Sequence, residues 1–258
     1  MLSLFKSIVQ YREYLIESVK RDLRKKYKRS TLGYFWSMLN PLLMMLVLTV
    51  VFASMMRGTV EHYAVFLFAG MIPWAYFSTT ILGSLHSISS NIRIISQIPV
   101  PKYLFVLSLS FSNMYTLIVS LIPFILISLL VGHGISWHLL LFPVAFLPLF
   151  LITTGVALTL AALNVFFEDT EHLTSVIIQA LYFMCPILYP VSMLSPKTLS
   201  ILELNPLFKT TVIFKDVMYY GTMPSLYDYL YSSGFGLLML FLGLWIFHKA
   251  DKRIIYFV

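Results

Sequence analysis

The position of the charged residues constrains this chain more than any other feature. Aspartate, glutamate, lysine and arginine are absent from 30–56, 62–92, 103–167, 172–196 and 229–248. Because a spanning helix needs about 20 apolar residues and the longest of these stretches has room for two, the pattern predicts six spans. We place them near 32–56, 63–88, 104–131, 138–166, 173–193 and 227–248. The runs are continuously apolar rather than alternating, which favours helices over a β-barrel.

The composition agrees with this prediction. Hydrophobic residues make up 59% of the chain and charged residues 11%, whereas roughly a quarter of the residues in soluble domains are charged. The net charge of +7 therefore indicates contact with membrane lipids rather than with nucleic acid. We expect an all-α integral membrane protein. The single cysteine, Cys185, excludes a disulfide framework and is expected to be a packing residue.

Lysine and arginine predict the orientation of the spans. With six spans, the N-terminus, the second and fourth loops and the C-terminus lie on one side. Of the 18 bases, nine precede the first span, two lie in the second loop and three follow the last span, whereas four lie on the other side. Since cytoplasmic loops carry an excess of lysine and arginine, we expect both termini in the cytoplasm.

Two further segments differ from the spans. Residues 1–29 place apolar side chains at helical spacing between charges, which predicts an amphipathic helix in the cytoplasmic interface. Residues 30–258 then form the six-span domain. Its outer loop, 194–226, is too charged to span and too apolar for a free loop. We expect short helices there, either re-entrant or lying on the surface.

The chemistry that is absent limits the function. The sequence has no Gly-x-x-x-x-Gly-Lys-Ser/Thr loop for phosphate and no charge deep inside a predicted span. A transporter of this kind must therefore take its energy from another chain. The turn with Glu168, Asp169, Glu171 and His172 is a weak candidate for the metal site of an enzyme that acts on a lipid phosphate. Charge is expected in a solvated turn between two helices, and this explanation is favoured, so we predict no catalytic and no metal-binding residue.

Four segments, taken in order, resemble a known family. Residues 30–36 (STLGYFW), followed by 40–42 (NPL), resemble the start of the first span in permeases of bacterial polysaccharide ABC exporters. Residues 70–78 (GMIPWAYFS) are similar to their second-span signature, and 205–207 (NPL) to their outer segment. Residues 163–169 (LNVFFED) look like their fourth-loop motif, except that Glu168 stands where the family usually has a base.

The resemblance implies a homodimer in the bacterial inner membrane with two copies of a separate ATPase, which would bind the ATP and Mg²⁺. It also implies a cargo carried on a polyprenyl diphosphate. Exporters of O-antigen are the most similar, and capsule and teichoic-acid exporters are near relatives. Two alternatives stay open: an integral-membrane enzyme acting on a lipid phosphate, and an ABC permease for a small lipid or drug.

The basic run before the first span is the candidate site for the diphosphate. Its side chains offer charge-assisted hydrogen bonds to phosphate oxygens, and the following Leu-Gly permits a close approach of the backbone. An alternative is that the run is only a topology signal. The predicted substrate-binding residues are Arg24, Lys25, Lys26, Lys28, Arg29, Leu32 and Gly33.

Aromatic faces suit a path along which a glycan slides, because they contact sugar C–H groups without fixed hydrogen bonds. Core packing is the alternative for each aromatic residue. The predicted path residues are Trp74, Phe77, Tyr182 and Tyr189.

Short cytoplasmic loops are the predicted contacts with the ATPase. The segment from Asn91 to Tyr103 contains two prolines, so we expect it to be stiff and exposed, although a solvated turn would look the same. The acidic turn is the second candidate. The predicted coupling residues are Arg93, Ile98, Pro99, Val100, Pro101, Lys102, Glu168, Asp169 and Glu171.

Overall fold

The computed structural model describes residues 10–27, 35–56, 58–97 and 100–254, without the side chains of 25–27, 37 and 252–254. Within these residues the regular structure is helical and contains no strand, which confirms the predicted all-α class there. The α-helices are α1 (Arg12–Tyr27), α2 (Phe35–Phe52), α3 (Tyr63–Leu85), α4 (Ile92–Gln97), α5 (Tyr103–Val119), α6 (Leu121–Leu130), α7 (Phe142–Phe166), α8 (Thr170–Met184), α9 (Pro196–Leu202), α10 (Pro206–Lys215) and α11 (Leu226–Ile254).

Helices long and apolar enough to cross a membrane coincide with four of the six predicted spans. They are Tyr63–Leu85, Tyr103–Leu130, Trp137–Phe166 and Leu226–Asp251 among the described residues. The first and fifth predicted spans contain the shorter apolar helices α2 and α8. Helix α8 ends early because Cys185 is extended and Pro186, which follows, has no N–H to donate. The count of six spans is therefore not confirmed.

The most extensive contact between helices joins α7 and α11, which run parallel. Their backbones touch at Gly155, where an added Cβ would lie 2.3 Å from the carbonyl carbon of Met239. Small residues permit such a close approach, and in a membrane this packing stabilises helix pairs in place of the hydrophobic effect.

Helix α3 lies at the centre, and most of its side chains are buried. Buried hydroxyl and amide groups connect it to its neighbours. The Tyr76 hydroxyl and Ser110 Oγ are 2.7 Å apart, and Ser110 Oγ lies 3.0 Å from Thr154 Oγ1. The Asn113 amide donates to Thr80 Oγ1 at 3.1 Å. These bonds tie α3, α5 and α7 together without any charge.

Helix α1 packs on the start of α5. The rings of Tyr14 and Phe105 meet edge to face at 6.0 Å, and the Ser108 hydroxyl donates to Asp22 Oδ2 at 3.1 Å. Since Ile16 and Arg24 on other faces of α1 are exposed, the helix is amphipathic with one face on the bundle. Residues 1–9 of the predicted interfacial segment lie outside the described residues.

The predicted outer loop folds back into the bundle. Helix α10 is buried along most of its length and contacts α3, α7 and α11. Its Lys209 pairs with Asp228 at the start of α11. This position favours the re-entrant alternative over a helix lying on the surface. Helix α9 precedes it, and a π-helical turn, Asp216–Tyr220, follows it.

Contacts between loops define the two ends of the bundle. At the end that carries α1 and the C-terminus of α11, which we call the terminal end, Lys102 donates to Asp251 Oδ1 at 2.8 Å. At the opposite end, the Tyr219 hydroxyl donates to the Glu61 carbonyl at 2.5 Å. The second predicted loop and the C-terminus therefore share one end.

Candidate functional site

A cleft of about 570 Å³ opens between α2, α3, α5 and α8. Helices α2 and α8 are less buried than α3 and α5, so they form the more exposed walls of the cleft. Its surface is mostly apolar, with several amide and hydroxyl groups. The lining residues are Trp36, Asn40, Pro41, Met44, Met71, Ile72, Trp74, Ala75, Tyr76, Ser78, Thr79, Asn113, Thr116, Leu117, Ser120 and Tyr182.

Two of the four predicted path residues line this cleft. The rings of Trp74 and Tyr182 contact each other edge to face at its surface, with centroids 5.5 Å apart. Phe77 lies behind Trp74, also at 5.5 Å, but it is only 4% exposed and does not line the cleft. Tyr189 lies elsewhere and donates its hydroxyl to the Phe183 carbonyl at 3.0 Å. The prediction that Tyr182 and Tyr189 share one helical face was wrong, because the helix ends at Met184, between these two positions.

Sequence reasoning missed the polar lining of the cleft. Asn40 on α2 is exposed to it, whereas Asn113 on α5 is 5% exposed. The signal was present, because an asparagine inside an apolar span is costly unless it has a partner or faces a polar space. A search for charged residues inside the spans does not detect these asparagines.

Two hydroxyl groups of the cleft, those of Thr79 and Ser120, donate within their own helices. Thr79 Oγ1 donates to the Ala75 carbonyl at 2.6 Å, and Ser120 Oγ donates to the Thr116 carbonyl at 2.9 Å. Each oxygen keeps lone pairs that can accept a further hydrogen bond. Aromatic faces and weak acceptors together suit a polar, hydroxyl-rich ligand that is held loosely.

Only part of the predicted diphosphate site lies in the described residues. Arg24 is exposed on α1. Lys25 and Lys26 belong to the same helix, but their side chains lie outside the description, as do the whole of Lys28, Arg29, Leu32 and Gly33. About two turns before Arg24, a hydrogen bond from Lys20 at 2.7 Å lowers the pKa of Glu17. The predicted site therefore stays a prediction.

The predicted exposed loop after α4 is in part buried, so the expectation of exposure was wrong for Val100 and Lys102. Val100 is 8% exposed and packs with Leu104 under α1. Lys102 is 6% exposed and donates both to the carbonyl and to the side chain of Asp251. The sequence did not reveal that α1 covers this loop.

Other members of the predicted coupling set differ in exposure. Arg93 on α4 is exposed and Pro101 is half-buried, whereas Ile98 and Pro99 lie outside the described residues. The loop therefore presents α4, rather than Val100 and Lys102, to the surroundings of the terminal end.

The acidic turn lies beside the end of α3. Glu168, Asp169 and Glu171 are exposed, and Glu171 Oε1 pairs with His86 Nε2 at 3.2 Å. The Asn164 amide donates to the Leu85 carbonyl at 3.0 Å. These two contacts join the acidic turn to the end of α3, and they do not involve the predicted loop from Asn91 to Tyr103. In the described part of the chain, no group of three or more histidine, cysteine, aspartate or glutamate residues is placed to hold a metal.

Comparison with known proteins places these features in context. Residues 14–219 match the family described as ABC-2 type transporter. The chain is 31% identical to the O-antigen export system permease protein RfbA of Myxococcus xanthus over 226 residues, 87% of each chain. It is 32% identical to RfbA of Klebsiella pneumoniae over 246 residues, 93% of each chain. The polysialic acid transport protein KpsM of Escherichia coli is 22% identical over 238 residues, 91% of this chain and 92% of the relative.

Proposed function

Because the chain belongs to the ABC-2 type transporter family, we propose that it is the membrane-spanning subunit of an ATP-driven polysaccharide exporter. The cargo in this proposal is a glycan on a polyprenyl diphosphate, with O-antigen as the first candidate. The observation that carries the proposal is the cleft, whose aromatic faces and hydroxyl groups match a sugar chain. The names of the relatives, which export O-antigen or transport polysialic acid, support the same cargo class.

In this proposal two copies of the chain enclose the path, and each cleft forms one side of it. The outward faces of α2 and α8 are apolar and exposed, with Val47 59% and Val176 65% accessible. A second copy or lipid covers them. The glycan slides along the surface formed by Trp74 and Tyr182 of each copy, where apolar contact to sugar rings changes little from one residue of the glycan to the next.

The diphosphate is loaded at the terminal end, on the cytoplasmic side of the bacterial inner membrane. Arg24, exposed on α1, and the neighbouring bases through Arg29 attract the phosphate oxygens. Leu32-Gly33 then lets the lipid head approach the start of the first span.

The energy comes from a separate ATPase that contacts the terminal end as two copies. Helix α4 is the principal contact in this proposal, since Arg93 and Ser96 are exposed on it. The acidic turn is the second contact. Because Glu171 lies in the first turn of α8 and pairs with His86 at the end of α3, a movement of this turn reaches both helices that carry the cleft aromatics.

The cargo is tested by replacing the cleft aromatics. Trp74→Leu and Tyr182→Leu are expected to abolish glycan at the cell surface while the subunit still co-purifies with its ATPase. The matched control is Trp137→Leu, because Trp137 is 60% exposed at the opposite end of the bundle and does not line the cleft. Normal surface glycan in both cleft variants would contradict the proposed path. Export of a small lipid in place of a glycan would support the alternative permease.

The coupling contact is tested by thiol labelling in a Cys185→Ser background. Cysteines at Arg93 and Ser96 are expected to react in the isolated subunit and to be protected in the complex with the ATPase. A cysteine at Lys102 is the control, because this buried position should react in neither state. If positions 93 and 96 react equally with and without the ATPase, α4 is not the contact.

A further inference from the structure

We propose that Lys215 is a positioning residue for the glycan path, because it fixes the end of the helix that carries Tyr182. This inference rests on the proposed function for the meaning of the path, but the geometry that it describes stands separately. The feature concerned is the break in the chain after α8.

The backbone at this break needs donors from elsewhere. Helix α8 ends at Met184, and the following Pro186 and Ile187 are buried. A buried carbonyl without a partner is unfavourable. Lys215 Nζ donates to the carbonyl of Pro186 and to that of Ile187, the latter at 3.2 Å. The Tyr63 hydroxyl donates to the next carbonyl, Leu188, at 2.8 Å. Side chains thus satisfy three consecutive carbonyls of the break.

Helix α3 is shaped to receive the lysine. Lys215 is 3% exposed, and its Nζ lies 3.2 Å from the centroid of the Phe66 ring. The face of this ring interacts with the third N–H of the ammonium, which donates to neither carbonyl. One turn further along α3, a Cβ at Gly70 would lie 3.1 Å from Lys215 Cε and 3.2 Å from Ile187 Cα. The glycine leaves room for both the lysine and the break.

Little else holds α8 in place. Of its 15 residues only Thr174 and Ile178 are buried, so packing along its length is sparse. Its position is set at its two ends, where Glu171 pairs with His86 and where Lys215 holds the break. Tyr182 lies three residues before the break and faces Trp74 at 5.5 Å. Without the Lys215 bonds, the end of α8 and Tyr182 are expected to move away from Trp74.

The test measures this distance directly. Lys215→Met keeps most of the side-chain volume and removes the donors. In a Cys185→Ser background, a short thiol cross-linker is applied to cysteines at positions 74 and 182. A control pair at His62 and His133, which are only half-buried and whose ring centroids also lie 5.5 Å apart, reports on the rest of the bundle. Lys215→Met is expected to lower cross-linking of the 74/182 pair about fivefold and to leave the control pair unchanged.

Lys215→Ala provides a rescue experiment, since n-propylamine replaces the missing part of the side chain and n-propanol does not. Restoration of the 74/182 cross-link by the amine alone supports the proposal. If Lys215→Met lowers both pairs, Tyr63→Phe decides, because it removes only the donor to Leu188. A smaller loss confined to the 74/182 pair supports the proposal, and an unchanged pair overturns it.

Native cross-linking together with native export in Lys215→Met also overturns the inference. A wrong proposed function would be recognised by different measurements, namely ATPase binding and glycan export. The unsubstituted chain would then neither bind an ATPase nor export glycan, whatever the cross-linking shows.

Discussion

Replacing Gly155 by alanine is expected to separate the two helices that form the most extensive contact in the bundle. A Cβ at this position would lie 2.3 Å from the carbonyl carbon of Met239 and 2.4 Å from the amide nitrogen of Leu240. Both are backbone atoms, so no side-chain rotation relieves the clash. Ordinary Cβ contacts begin at 3.4 Å, and α7 and α11 must therefore move apart by roughly 1 Å at this point.

The size of the effect follows from the lost contact. A gap of this width forfeits a quarter to a half of each dispersion contact at the interface, and overpacking in a tight core destabilises by about 1–3 kcal/mol. Gly234→Ala on α11 is the matched control, because a Cβ there meets nothing within 4 Å. Alanine in a helix is favoured over glycine by about 1 kcal/mol. Because this gain applies to both variants, it cancels, and they should differ by about 1–3 kcal/mol.

Thermal denaturation of the purified subunit in detergent checks this difference. At about 2–4 °C per kcal/mol, the apparent Tm of Gly155→Ala should lie roughly 2–12 °C below that of Gly234→Ala. Equal midpoints for the two variants would refute the close approach of α7 and α11.

Two further predictions concern buried charges. Burial, and to a smaller degree the carboxylate of Asp228, raises the pKa of Asp216 to about 7. An acid with a raised pKa favours folding below its unfolded value near 4 and loses that contribution as the pH rises towards 7. Asp216→Asn should therefore raise the apparent Tm at pH 8 but not at pH 4, and an equal shift at both pH values would contradict this. Asp251→Ala should destabilise the protein more than Lys102→Met. The first variant leaves the Lys102 side chain, which is 7% exposed, without its carboxylate partner, whereas in the second the Asp251 carboxylate, which is 43% exposed, is solvated by water. Thermal denaturation of both variants tests this order, and the reverse order would show that Lys102 is solvated.

The long apolar helices were predictable because their signal is repeated over many residues. The gaps between charges located α3, α7 and α11 within a few residues of their observed bounds. The shorter helices were not, since hydropathy averages over Pro186 and hides the break after α8. The sequence also shows no direct sign that Lys215, which is formally a loop lysine, turns inward to satisfy that break.

The residues of the candidate site were also predictable only in part. Trp74 and Tyr182 were predictable as aromatic residues at plausible depth, and they do meet. Phe77 and Tyr189 have the same chemistry but point elsewhere, and only the packing around each helix separates the two pairs. Val100 and Lys102 were misjudged because exposure depends on where α1 lies, and that contact joins residues far apart in sequence.

The sparse packing of α8 has a consequence for how such a chain diversifies. Most of its side chains make few contacts with the bundle, and Tyr182 is its residue in the cleft. Substitutions at the other exposed positions of α8 therefore change the face that meets lipid or a second copy, with little penalty to folding. Gly155 on α7, in contrast, tolerates no added volume, because a Cβ there meets the backbone of α11. One helix is thereby free to vary over evolutionary time, while the contact at Gly155 keeps the architecture constant.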